Sequence, residues 1–152
     1  MVFERTFVMI KPDGVGRRLC GDIIRRYESK GLRLAGLKMQ ILTRENAERL
    51  YAEHADRPFF SGLIEFIVSG PTIQMVWEGP NAVKIVRSLN GATDCQQAAP
   101  GTIRGDYGVN TRKNLVHASD SAETARREIA LYFTDSELWN YSMPDGHWLE
   151  EL

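Results

Sequence analysis

The stretch from Phe3 to Lys11 carries apolar side chains on both of its faces, with Val8 and Ile10 on one and Phe7 and Met9 on the other. Successive residues of a strand point to opposite sides. This segment therefore reads as a central strand covered on both faces, and every later element has to supply or accommodate those two covers.

Beyond Lys11 the chain alternates between helical and extended patterns. After Pro12-Asp13-Gly14, the positions Cys20, Ile23, Ile24 and Tyr27 keep helical spacing, with Arg17, Arg18, Arg25 and Arg26 off the stripe and Gly31 as the stop. Leu32 to Leu42 reads as a strand, with Leu37, Met39 and Ile41 alternating against Lys38 and Gln40 and with Gly36 marking a bulge. Thr43 with Asn46 opens a short helix through Ala47, Leu50, Tyr51 and His54. A second short helix holds Phe60, Leu63, Ile64 and Ile67 in register and closes at Gly70-Pro71. A strand from Ile73 to Trp77, a turn at Gly79-Pro80 and a helix from Asn81 to Leu89, ended by Asn90-Gly91, come next.

Residues 91 to 113 are rich in glycine and show no sustained period, and an ordered loop of that length in a compact domain is usually functional. A strand from Asn114 to His117 precedes a helix signalled by Asp120 and Glu123 and carrying Ala122, Ala125, Ile129 and Phe133. Reduced to its main elements the chain reads βαββαβ. That is a ferredoxin-like α+β sandwich with an antiparallel sheet, an inserted helical hairpin, a long loop before the last strand and a C-terminal tail. Helices are expected on one sheet face, so the second apolar face of the first strand needs another cover, such as a neighbouring subunit.

A length of 152 residues suits a single domain with one sizeable core. With 19 Lys and Arg against 20 Asp and Glu, the net charge is -1, so no global field gathers nucleic acid or an anionic membrane, and any anion site must be local. No stretch approaches the roughly 18 apolar residues of a membrane span. Residues 1 to 30 include Glu4, Lys11, Asp13 and Arg17, unlike a signal peptide, so a cytoplasmic protein is expected. Cys20 and Cys95 stand far apart without a CxxC partner and read as reduced thiols.

Neither G-x-x-x-x-G-K-[ST] nor G-x-G-x-x-G occurs, and the three histidines form no close metal pair. His117 lies at a strand-to-helix junction, where backbone amides favour anions. A lone histidine is more often structural than chemical. Lys11, Arg87 and Arg104, each ordinary as a solvated charge, could jointly neutralise a polyphosphate if the fold gathers them.

The segments Lys11-Pro12-Asp13-Gly14, Pro100 to Asp106 (PGTIRGD) and Asn114 to Asp120 (NLVHASD) closely resemble the nucleoside diphosphate kinase family. Tyr51-x-x-His54, Arg57-Pro58-Phe59-Phe60, Ser69-Gly70-Pro71 and Met75 to Gly79 stand in the family's order and spacing, so the resemblance runs from about residue 3 to 133. It implies a single kinase domain over residues 1–152 that moves a terminal phosphate from a nucleoside triphosphate, ATP as main donor, to a nucleoside diphosphate. The implied route is ping-pong, through a phosphohistidine on His117. An imidazole with an ordinary pKa of about 6.5 is largely neutral and nucleophilic at pH 7.

The same resemblance makes Glu128 the acid that fixes the other ring nitrogen, with Ser119 supporting Glu128 and Tyr51 bordering the histidine. Arg87, Arg104, Thr93 and His54 become phosphate ligands, Lys11 and Asn114 hold the sugar hydroxyls near the transferred phosphate, and Phe59 stacks on the base. Stacking tolerates any base, so broad base acceptance is expected. Mg2+ is implied as cofactor, held mainly by the nucleotide phosphates and by no protein ligand directly. Departures are Asp94-Cys95 where Asn-Pro is common, Ala118 where Gly usually follows the histidine, Gly16 where Gln is frequent, and a basic Thr111-Arg112-Lys113. Loss of a proline at 95 predicts a less restrained loop, and no base contact is carried onto Thr111.

The tail from residue 134 to 152 holds two of the three tryptophans, Trp139 and Trp148, with Pro144 and Gly146 precluding a continuous helix. In the family a tail of this length accompanies a homohexamer, so the segment reads as a subunit-interface element, with His147 structural. Two alternatives stay open: a catalytically silent nucleotide-binding module, and a relay that passes histidine phosphate to other proteins.

Overall fold

The computed structural model describes residues 3–149. The sheet has four strands, β1 (Phe3–Ile10), β2 (Arg33–Gln40), β3 (Thr72–Pro80) and β4 (Val116–Ala118), in the order β2-β3-β1-β4 with every pairing antiparallel. This is the expected ferredoxin-like arrangement, with the Phe3 segment as an interior strand.

Its two apolar faces are both covered by the chain's own helices, so the expectation of helices on one face alone is corrected. On one side Phe7, Met9 and Val76 pack with α3 (Arg44–Leu50), α4 (Phe60–Ile67) and α7 (Ala122–Tyr132). On the other Val8, Ile10, Met75 and Trp77 meet α2 (Cys20–Ser29), α5 (Ala82–Asn90) and α6 (Ile103–Tyr107). The insertions missing from the six-element reduction supply the second cover.

Other boundaries shift for local reasons. Pro12-Asp13-Gly14 begins a short helix, α1 (Pro12–Gly16), because proline at the first helical position has no amide to waste. Gly79-Pro80 continues β3 opposite Phe3 and Glu4, and the turn falls instead at Asn81, whose φ of 53° is left-handed. The cap of α7 is Ser121, whose hydroxyl accepts from the Thr124 amide, one residue beyond the expected Asp120. Asn114 and Leu115 precede β4 rather than belonging to it, and Leu115 has a φ of 77°.

The long loop encloses α6, capped by the Thr102 hydroxyl on the Gly105 amide. At position 95, where the family commonly has proline, the chain is anchored by the side chain instead. Cys95 is buried, its thiol donates to the Asn110 carbonyl at 3.3 Å, and it packs against Gly108.

β2 bulges between Leu34 and Gly36, as the glycine suggested. Beyond the bulge Leu37, Met39 and Ile41 lie 47%, 57% and 61% exposed on the sheet's edge. The tail crosses this bulge: the Trp139 amide donates to the Ala35 carbonyl and the Tyr141 hydroxyl to the Leu34 carbonyl. It ends in α8 (Gly146–Leu149), while residues 150–152 of the tail lie outside the described residues. No helix of the described residues is long and apolar enough to cross a membrane.

Gly105 faces the Ala99 carbonyl so closely that a methyl there would run into it. Gly105→Ala is expected to destabilise the domain by about 1–3 kcal/mol, lowering the thermal midpoint by roughly 3–10 °C in calorimetry. An unchanged midpoint would show that the loop around Arg104 yields without penalty.

Candidate active site

His117 is the middle residue of β4, opposite Met9 of β1. Strand alternation sends Val116 and Ala118 into the α2/α5 core and His117 to the other face. There it meets α7, where Glu128 is 1% exposed near the middle of the helix. The His117 Nε2 lies 2.9 Å from Glu128 Oε2, and the Ser119 hydroxyl donates to Glu128 Oε1 at 2.5 Å. Both carboxylate oxygens are therefore engaged, and Nδ1 makes no hydrogen bond among the described residues. A carboxylate on Nε2 stabilises the tautomer with the proton there and leaves the lone pair on Nδ1.

The ring is also held sterically. Tyr51 meets it edge-on with centroids 5.3 Å apart, and Phe7 lies 6.0 Å away. The Tyr51 hydroxyl is buried without a hydrogen-bond partner, and burial pushes its phenol well above the usual range. Such an orphaned donor carries a penalty unless a ligand satisfies it.

These groups open onto a cavity of about 760 Å³. Every expected site residue except Ser119 lines it: Lys11, Tyr51, His54, Phe59, Arg87, Thr93, Arg104, Asn114, His117 and Glu128. Ser119 stands behind Glu128, fully buried.

The cations come from distant segments. Lys11, directly after β1, is 6% exposed and donates to Asn114 Oδ1 at 2.7 Å, while the Asn114 amide donates to the Thr93 carbonyl. Burial, and then the neighbouring Arg104 charge, lowers the Lys11 ammonium to about 8. Arg104 donates to three carbonyls, those of Gly91, Asn114 and Val116, so it ties the long loop to β4 while adding an unneutralised charge. Arg87 is exposed on α5. At the opposite wall Phe59 is 45% exposed and its ring centroid lies 5.5 Å from that of His54.

Sequence reasoning missed several contributors. Asp13 Oδ2 accepts from the Leu115 amide at 3.1 Å and so braces the left-handed residue before β4. Asn90, Thr124 and Arg112 also line the cavity. Asn90 had a sequence signal only as a helix stop, and nothing in the spacing pointed to Thr124. Among the described residues no group of three or more His, Cys, Asp or Glu side chains could hold a metal ion.

Chemically, the arrangement offers the Nδ1 nitrogen of an imidazole to an electrophile whose negative charge Lys11, Arg87 and Arg104 are placed to meet. That combination suits phosphoryl transfer, which depends on positioning and charge neutralisation more than on proton chemistry.

Comparison with known proteins agrees. The nucleoside diphosphate kinase family profile matches residues 4–138. The nucleoside diphosphate kinase of Archaeoglobus fulgidus is 55% identical over 97% of this chain and 98% of its own. That of Methanococcoides burtonii is 53% identical over 97% and 99%. Among solved structures, the halophilic nucleoside diphosphate kinase of Halobacterium salinarum in complex with CDP superposes with a TM-score of 0.96 at 53% identity, covering 99% of this chain and all of that one. A site built for phosphoryl transfer and near full-length likeness to enzymes of one activity converge: this chain belongs to the nucleoside diphosphate kinase family and is a phosphotransferase.

Proposed function

We propose that the kinase reaction runs through a phosphohistidine on His117, and the observation that carries this is the Ser119–Glu128–His117 chain ending in a free Nδ1 inside a cationic cavity. The Nδ1 lone pair attacks the terminal phosphorus of a nucleoside triphosphate. The N–P bond forms as the bond to the bridging oxygen breaks, and the diphosphate leaves with that electron pair. A second diphosphate then occupies the same cavity, its terminal oxygen attacks the phosphohistidine, and the N–P bond breaks.

Donor and acceptor bonds are both phosphoanhydrides, so the intermediate must hold phosphate at comparable energy. A phosphoimidazole meets that need, whereas a serine ester would be too stable. Glu128 holds the ring and offsets the positive charge that develops on it. Arg87, Arg104, Thr93 and His54 are assigned to the phosphates, Lys11 and Asn114 to the sugar hydroxyls beside the transferred group, and Tyr51 to the reacting phosphate.

Mg2+ is the proposed cofactor. The cavity gathers Lys11, Arg87, Arg104 and Arg112, and the carboxylates on its lining, Glu53, Asp120 and Glu128, form no metal-holding group among the described residues, which suits an ion that arrives on the nucleotide phosphates. When bound, it would neutralise phosphate charge there.

ATP is proposed as main donor, Phe59 as the platform for any base, residues 1–152 as one kinase domain, and the cytoplasm as location. The exposed Leu37, Met39 and Ile41, with Trp139 at 69%, support assembly into a homohexamer using β2 and the tail.

Incubation with terminally labelled ATP and no acceptor is expected to give an acid-labile, alkali-stable adduct, abolished in His117→Ala and discharged by several diphosphates at comparable rates. No adduct would favour a silent binding module, an adduct that GDP leaves intact would favour a protein relay, and discharge by one base only would sink the Phe59 assignment.

The Lys11 charge is present below about pH 8 and lost above it. Nucleotide affinity should therefore weaken as pH rises from 7 to 9.5, with proton uptake on binding at the upper end, as buffer-dependent calorimetry would detect. Affinity flat to pH 9.5 would count against a charged Lys11 in the site. Light scattering is expected to report a hexamer, and a stable monomer would remove the interface role of the tail.

A further inference from the structure

Arg112 is a strongly basic group at the mouth of the cavity that the proposed reaction does not use. It is exposed, lines the same cavity as Phe59, and forms neither a hydrogen bond nor an ion pair among the described residues. Its guanidinium rests on α4 at Gly62. A Cβ built on that glycine would lie 2.7 Å from Nη1 and 2.8 Å from both Cζ and Nη2. Near-equal separations from three atoms of one plane mean that the flat face of the guanidinium lies over the glycine, which only a residue without a side chain permits.

Phe59 precedes Gly62 by three residues, so the two sit about one helical turn apart on the same element. The loop presenting Arg112 is itself held: the Lys113 amide donates to Asn110 Oδ1 at 2.8 Å, and the Asn110 carbonyl accepts from the buried Cys95 thiol.

We propose that Arg112 is a specificity-determining residue that reads the edge of the nucleobase and tilts this pocket toward guanine nucleotides. The inference rests on Phe59 as the base platform. A base lying on that ring brings its edge toward a guanidinium seated one turn further along the helix. With one face against α4, Arg112 presents its in-plane N–H donors, and it has no acceptor of its own. Guanine offers two adjacent acceptors, O6 and N7, that match the fork of a guanidinium, whereas adenine places the N6 donor where O6 would be. Stacking on Phe59 still admits every base, so the effect is a bias laid over broad acceptance.

Equilibrium binding of GDP and ADP, measured by calorimetry at one fixed salt concentration, tests this without requiring turnover. The unaltered chain is expected to bind GDP about five-fold more tightly than ADP, the lower end for one bidentate base contact at an exposed site. Arg112→Lys keeps the charge but loses the planar fork, and Arg112→Gly loses both. In each, the GDP/ADP ratio should fall toward one. Gly62→Ala displaces the guanidinium while leaving Arg112 in place, and should lower the ratio likewise.

A ratio that stays the same in all three variants overturns the proposal. So does an equal loss for both nucleotides, which would assign Arg112 to the phosphates, and so does a ratio retained in Arg112→Lys, which would make it a point charge. Failure of the phosphohistidine reading shows separately, as absence of the labelled adduct in the unaltered chain while the binding ratios persist.

Discussion

Two buried cations, Lys11 and Arg104, impose the main constraint on this fold. Neither forms an ion pair among the described residues, and burial alone disfavours the charged form of each. Removing charge from water is costly unless hydrogen bonds and a counter-charge compensate. The chain supplies the hydrogen bonds through Asn114 and three main-chain carbonyls. Those bonds tie the end of β1, the long loop and the approach to β4 together. In the proposed nucleotide site a polyphosphate would bring the counter-charge, so a feature that costs the isolated domain stability would favour binding there.

The same economy governs His117, the proposed nucleophile. His117 is fixed by a carboxylate, a hydroxyl behind the carboxylate and two aromatic rings, all on elements that belong to the core. Little has to reorganise when a phosphorus atom arrives, and preorganisation of this kind is the larger part of what a protein contributes to phosphoryl transfer.

Much of this is legible in the sequence because the signals are local. The doubly apolar Phe3 strand announces an interior position, and Gly36 announces the bulge. That the expected residues line one cavity is legible only through resemblance, since no spacing rule connects Lys11 with Asn114, 103 residues apart. What escapes is the packing between distant segments. The helices from Thr43, Phe60 and Asp120 onward are each legible, but their placement on the second sheet face is hidden because they fall outside the six-element pattern. The anchoring of the long loop by a buried thiol escapes too, because burial of Cys95 has no signature in the spacing. Asp13 reads as a turn residue, and its bond to the Leu115 amide depends on a left-handed backbone that sequence does not display.

The tail's contact with the β2 bulge bears on how the chain avoids misassembly while it is being made. An open strand edge rich in exposed apolar residues is a template for pairing with other chains. Here the carbonyls of Leu34 and Ala35 are taken by Tyr141 and Trp139, residues synthesised about a hundred positions later. During translation β2 is made about a hundred residues before that part of its edge is sealed, and the core itself waits for Tyr132 and Phe133, only a few residues ahead of Trp139. The nascent chain therefore passes through an interval in which the bulge of β2 is unguarded, and the arrival of Trp139 and Tyr141 closes that part of the edge while Leu37, Met39 and Ile41 stay open beyond it.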